Sequence, residues 1–386
     1  MSRPVEHRAP LAEIAREWLR IGVTGFGGPP AHIGLLRQLV VAQRGWMDAH
    51  AFEDANAACS LLPGPSSTQL AIFCAYRVGG WPGAIVGGLG FVVPAVVMVL
   101  ALSVLFLSQS PPDWIRGAGA GAGAAVAAVA VRAGLDLIGP SWDRAKGERV
   151  PARRWGAYAL VGGAAAAAVG PYLVLALLGC GAVELVLRRG RSVAAAVDPA
   201  AVALMAAASA GVGSLVWTAL KVGALSFGGG FVIVPLMQDD AVHVYHWMTN
   251  AEFLNAVALG QVTPGPVVAT IAAVGYAAAG IGGGLLAAFV AFLPSFSFIL
   301  LGAGRFERLR ADAGARGFLG GAGPAAIGAI LGSAIPLAAA LNEGWQAAIL
   351  AAAAVALLLL RRGVVPTLLG AGAVGVVIAL AGGPLP

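Results

Sequence analysis

The chain has 386 residues, of which 59% are hydrophobic and only 11% charged, with a mean hydropathy of +0.85; soluble domains carry about 25% charged residues. No single soluble core needs so many apolar side chains, so lipid must solvate much of this surface. The net charge of +6 comes from Lys and Arg scattered between apolar segments, the pattern of loops facing cytoplasm, which excludes a nucleic-acid partner and makes the bilayer the partner instead.

Taken in chain order, residues 1–10 are polar and basic, with no apolar run ending in a cleavage site, so no removed signal peptide is expected. The first element carries Arg20 and is interrupted at Phe26-Gly27-Gly28-Pro29-Pro30, with His32 just beyond. Glycine frees the backbone and proline removes a donor, so such a run stops a helix inside an apolar region. A second element, preceded by Glu53 and Asp54, is interrupted at Pro63-Gly64-Pro65; Ser66, Ser67 and Thr68 follow as cap candidates for a new helix. Four crossings are then predicted, roughly 81–107, 115–138, 156–169 and 171–187, the last two near the lower length limit. Residues 200–216 predict one further crossing.

The order then repeats. Displaced by 201 positions, Phe26-Gly27-Gly28 falls on Phe227-Gly228-Gly229, Trp46-Met47 on Trp247-Met248, and Pro63-Gly64-Pro65 on Pro264-Gly265-Pro266. After a one-residue slip Pro94 meets Pro294 and Arg116-Gly117 meets Arg316-Gly317. A Trp-Met pair and two glycine- or proline-marked breaks in one register are a duplication. The second copy predicts crossings at 282–303, 317–340, 345–360 and 364–382. Cys59, Cys74 and Cys180 lie in apolar stretches without ligand spacing, so no disulfide, metal or cofactor is expected. His243 and His246 are three apart, which alone is a weak metal signal.

Loop charge sets the relative orientation of the copies. The 139–155 loop holds Arg144, Lys146, Arg149, Arg153 and Arg154, whereas its partner near Asn342-Glu343 has no cation. The bias reverses at 305–316, which carries Arg305, Arg308, Arg310 and Arg316, and again at Arg361-Arg362. Equivalent loops therefore face opposite sides. The expected fold is an all-α integral membrane protein of two inverted-topology repeats with broken or re-entrant helices and about nine full crossings. Residues 1–192 form the first repeat, 193–217 the link with its extra crossing, and 218–386 the second.

Four interrupted elements in two inverted copies point to a transport site between the repeats. Half-helix starts offer free N–H groups and a positive dipole end to an anion. Arg20 and Lys221 are equivalent, each six residues before the Phe of the break, and such a cation pair suits a dianion. Gln261 and Thr263, before the last break, add neutral donors, and Asp54 is the candidate for proton coupling. No nucleotide loop, His-Glu-X-X-His or nucleophile–base set is present, so binding and transport are expected rather than enzymic chemistry. A passive anion channel would use the same helix ends.

These motifs carry a resemblance. Leu19 to Arg37, with Phe-Gly-Gly-Pro-Pro-Ala-His-Ile-Gly and then Leu62-Pro63-Gly64-Pro65, resembles the N-terminal half of the chromate ion transporter family. Lys221 to Gly230, then Gly260-Gln-Val-Thr-Pro-Gly-Pro266 and Gly275-Tyr276, resembles its C-terminal half, so nearly the whole chain is covered in the long two-domain form. The resemblance implies a bacterial plasma (inner) membrane protein that exports chromate by the proton motive force and gives resistance, with sulfate or another oxyanion as the alternative substrate and a homodimer left open. The motif positions it carries over are Arg20, Phe26, Gly27, Gly28, Pro29, His32, Pro63, Gly64 and Pro65, then Lys221, Ser226, Phe227, Gly228, Gly229, Gln261, Thr263, Pro264, Gly265 and Pro266; Ser66 joins them from the residue reading. One position departs from the family: Ser60 stands three residues before the first Pro-Gly-Pro, where Gln is frequent, while Gln261 keeps it in the second half.

Overall fold

The computed structural model describes residues 9–60, 62–108, 110–147, 150–168, 173–189, 211–226, 231–302 and 312–386. The described residues are helical throughout, without strands, and apolar residues select which helices cross. The first copy contains α1 (Leu11–Thr24), α2 (Gly28–Arg37), α3 (Ala49–Cys59), α4 (Ser66–Phe106), α5 (Asp113–Ala124), α6 (Val126–Gly147), α7 (Ala152–Ala168) and α8 (Leu173–Arg189). The second contains α9 (Val212–Leu225), α10 (Ile233–Gln238), α11 (Asn250–Val262), α12 (Ile271–Gly302), α13 (Ala313–Ala339), α14 (Gly344–Ala354) and α15 (Val364–Leu380).

The elements recur at the sequence offset, down to their irregularities. After α2 the helix widens into a π segment, Gln38–Gln43, and after α10 into another, Asp239–Val244. Each ends on a left-handed residue, Gly45 (φ 60°) and His246 (φ 51°). The long helices α4 and α12 are bent at Gly80 (φ 67°, ψ −154°) and Gly280 (φ 64°, ψ −158°), a region that only glycine occupies without strain.

Four stretches are long and apolar enough to cross a membrane: Ser66–Phe106, Asp113–Gly147, Val267–Gly302 and Ala313–Ala339. They contain the expected crossing at 115–138 and match those at 81–107, 282–303 and 317–340 up to the last residue of each. The remaining expected crossings correspond to the shorter α7, α8, α14 with its π continuation Val355–Leu359, and α15. Of the predicted extra crossing, residues 200–210 lie outside the described ones, and Val212 onward belongs to α9, the counterpart of α1. Large apolar side chains such as Leu160, Phe289, Leu301 and Leu380 stand out from the helices. In lipid they are solvated; in water they would be a liability. The chain is a multi-pass membrane protein.

The copies interlock. Helix α7 of the first packs along α13 of the second so closely that a Cβ on Gly328 would sit 1.8 Å from Ala159 O, and one on Gly162 1.9 Å from Ala325 O. Backbone contact of this kind is how small residues hold membrane helices together.

Candidate functional site

Both breaks of the first copy form as the glycines and prolines dictate. Helix α1 stops at Gly25, whose N–H donates to Ile21 O (2.7 Å), and the chain turns through Gly27 (φ 102°) and Gly28 (φ 72°) into α2, with Pro at its first turn. Helix α3 ends before Pro63-Gly64-Pro65, Gly64 at φ 112°, and α4 starts at Ser66. Pro65, not a serine or threonine, takes the N-cap position of α4, and no side chain caps it. The expected capping by Ser66, Ser67 and Thr68 is thus absent, because Ser66 is already the first helical residue. In the second copy Gly265 has φ 95°, Pro266 takes the cap, and a 3-10 turn, Val267–Thr270, leads into α12, again without a side-chain cap.

The loops exchange partners across the two copies. Gly265 N–H donates to Gly25 O (3.0 Å), and the Gly265 Cα faces Ala95 and Gly22; reciprocally, Gly64 faces Ser295 and Gly223 O. Gly22, Ala95 and Gly265 are the counterparts of Gly223, Ser295 and Gly64. The two breaks therefore meet around an approximate two-fold axis.

Beside this junction lies a cavity of about 1080 Å³. From the first copy come Gly27, Gly28, Ser60 and Ser66, with α6 along one wall; from the second come Gln261, Thr263, Gly265 and Val267, with the first turns of α13. Among the described residues its charged lining is Arg132, Arg144, Arg316, Arg361 and Arg362 against the single carboxylate Asp136. Arg132 Nε donates to Asp136 Oδ2 (2.8 Å) and its Nη1 to Leu357 O (3.1 Å) in the π segment after α14. Arg361 holds φ 52°, a left-handed angle that a residue with a Cβ rarely adopts. Gln261 Nε2 is buried with no hydrogen-bond partner, an unspent donor at the cavity wall. Thr263 Oγ1 is spent on Leu259 O (3.0 Å).

The other expected site residues lie elsewhere. Arg20 is half exposed and paired with Glu17 (2.9 Å), which also holds Arg44. Lys221 is buried and paired with Asp240, which also accepts from Thr218 Oγ1 (2.6 Å). The structure thus does not bring the two cations together; each is neutralised within its own copy. His32 is fully buried, its ring bonded to Gly25 O (2.9 Å) through Nε2 and beside Ser67 Oγ (3.4 Å), where it ties α1, α2 and α4 together. Ser226 is buried at the end of α9, its hydroxyl 3.4 Å from Gly223 O. Phe26 is about half exposed and Asp54 pairs with His50 (3.1 Å) on the outer face of α3. Pro63 and Pro264 frame the loops; Phe227, Gly228 and Gly229 lie outside the described residues.

Sequence reasoning used Arg144, Arg316, Arg361 and Arg362 only as markers of loop sidedness, and missed Arg132 and Asp136. The signal for the last two was available: an Arg and an Asp four apart inside the apolar stretch 115–138 are costly there unless paired and useful.

A family profile described as Chromate transporter matches residues 12–185 and 213–377. The chain is 33% identical to the "Chromate transport protein" of Cupriavidus metallidurans over 95% of this chain and 93% of that one. It is 30% identical to the "Chromate transport protein" of Pseudomonas aeruginosa (84% and 80% covered) and 28% to the "Probable chromate transport protein" of Synechococcus elongatus (85% and 84%). No solved structure matches.

Proposed function

Because this chain belongs to the chromate transporter family, we propose that it exports chromate across a bacterial inner membrane, driven by the proton motive force, through the arginine-lined cavity. One observation carries the reading: both copies contribute to one cavity where, among the described residues, five arginines, the unspent Gln261 amide and uncapped helix starts converge. A tetrahedral dianion needs several donors and positive charge to leave bulk water, and guanidinium groups supply both. The cavity far exceeds one ion, since a water claims about 30 Å³, so the ion enters hydrated and sheds water only near the loops.

The basic walls also speak for side. The last turns of α6 and the first of α13 bring Arg144 and Arg316 to this cavity, so by the positive-inside rule this mouth faces cytoplasm. Helix pair α5–α6 and α13 are counterparts, yet the end of one meets the start of the other, which supports copies of inverted topology. Cytoplasmic access in this conformation suits uptake of the exported ion from inside.

Reconstitution in vesicles with an imposed pH gradient, following labelled chromate and labelled sulfate separately, tests each part. Chromate flux that rises with the gradient is expected. Flux indifferent to the gradient removes proton coupling and favours a channel; sulfate flux without chromate flux removes the substrate, an outcome that Ser60 at the cavity wall gives reason to measure.

A further inference from the structure

A second cavity, about 310 Å³, lies around Arg116. It is the counterpart of the first. Arg116, Ala120, Gly123 and Ala340 line it, and at an offset of 200 these positions are Arg316, Gly320, Gly323 and Pro140, which all line the large cavity. The two lie at opposite ends of the same elements. Helix α13 borders the large cavity from Arg316 to Ile330 and the small one just past its end, at Ala340, and its 27 residues span about 40 Å. Helix α11 touches the small cavity near its start, at Ala251 and Asn255, and the large one at its end, at Gln261. The pair α5–α6 begins at the small cavity and ends at the large.

We infer that the Arg116 cavity is the second mouth of the same pathway, an oxyanion site on the opposite face that is narrow in this conformation. The inference rests on the oxyanion reading above. Two copies related by a two-fold axis can exchange conformations, so a mouth that is wide at one end has a narrow twin at the other. Its lining offers donors of the same kind, Arg116 for the guanidinium that Arg316 supplies opposite and the Asn255 amide against Gly119 and Gly123, with Glu252 as its one side-chain carboxylate among the described residues, as Asp136 is in the large cavity. A strap crosses this narrow mouth. Arg116 Nη2 donates to Pro386 O (3.3 Å), Pro386 lines the cavity, and Trp345 Nε1 donates to Pro384 O (3.0 Å). Opening this mouth requires those two bonds to release, which leaves Arg116 paired, among the described residues, only with Asp113 (3.5 Å) and its Nη2 available to the anion as the Arg132 cavity narrows.

The test uses the full chain with Cys59, Cys74 and Cys180 replaced and one reporter added, Ala57→Cys in the large cavity or Ala251→Cys in the small one. A membrane-impermeant thiol reagent is applied from each side of sealed vesicles while chromate flux is followed in parallel. The two reporters should label from opposite sides, and chromate turnover should raise labelling at 251 while lowering it at 57. Trp345→Phe, which deletes one strap bond and keeps the ring, should raise labelling at 251 about two- to tenfold. Labelling of both reporters from one side, or labelling at 251 that responds neither to chromate nor to Trp345→Phe, overturns the second mouth. Loss of chromate flux with opposite-side labelling intact overturns the substrate and leaves the pathway.

Discussion

At the scale of residues, the site is decided by which charges are already spent. Lys221 illustrates the limit of sequence: its depth in an apolar stretch was legible, but Asp240, 19 positions on, neutralises it only after the π segment carries that carboxylate back to α9. Lys221→Ala alone therefore strands a buried carboxylate and should cost about 3–5 kcal/mol of stability, whereas Lys221→Met with Asp240→Leu should restore the folded yield. Size-exclusion profiles and thermal melts of the purified variants check this. Arg132 is the contrasting case, paired with an exposed Asp136 and facing the cavity. Arg132→Gln should insert and fold normally yet raise the KM for chromate about tenfold or more, and Arg132→Lys should recover only part of it, because a lysine cannot keep the bonds to Asp136 and Leu357 at once.

At the scale of elements, most of the breaks were legible because glycine and proline act locally. Phe-Gly-Gly-Pro-Pro and the two Pro-Gly-Pro runs end helices wherever they sit, and the described residues end them there. The cavity wall was not legible, since an arginine at a helix end reads equally as a topology marker or as a ligand until the neighbouring helix is in place. Helix ends at Arg144 and Arg316 converge only through the packing of α13 on α6 and α7. That packing has no slack: Gly328→Val would drive its side chain into the Ala159 carbonyl, and a loss of about 3 kcal/mol or more is expected. Reduced membrane yield and a lowered melting midpoint, with Gly323→Val as the control at an open position, would register it.

For the whole molecule, sidedness is the quantity to measure. Cysteines at Arg144 and at Arg316 should both label from the cytoplasmic side, since both line one cavity although they occupy counterpart halves. Labelling from opposite sides would mean parallel copies and would remove the inverted topology. The offset that announced the duplication could not show how the halves join; that needed Gly64 against Ser295 and Gly265 against Ala95.

The interlocking of α7 with α13 has a consequence for biosynthesis. Ribosomes deliver about 5–20 residues per second, so the glycine-lined face of α7 waits on the order of ten seconds before the helix that fills it exists. During that interval the nascent first half offers an unfilled groove to any neighbouring helix in the insertion machinery. The first half depends on the second to cover that face, and a truncated N-terminal half of this chain is expected to be cleared by quality control rather than accumulate.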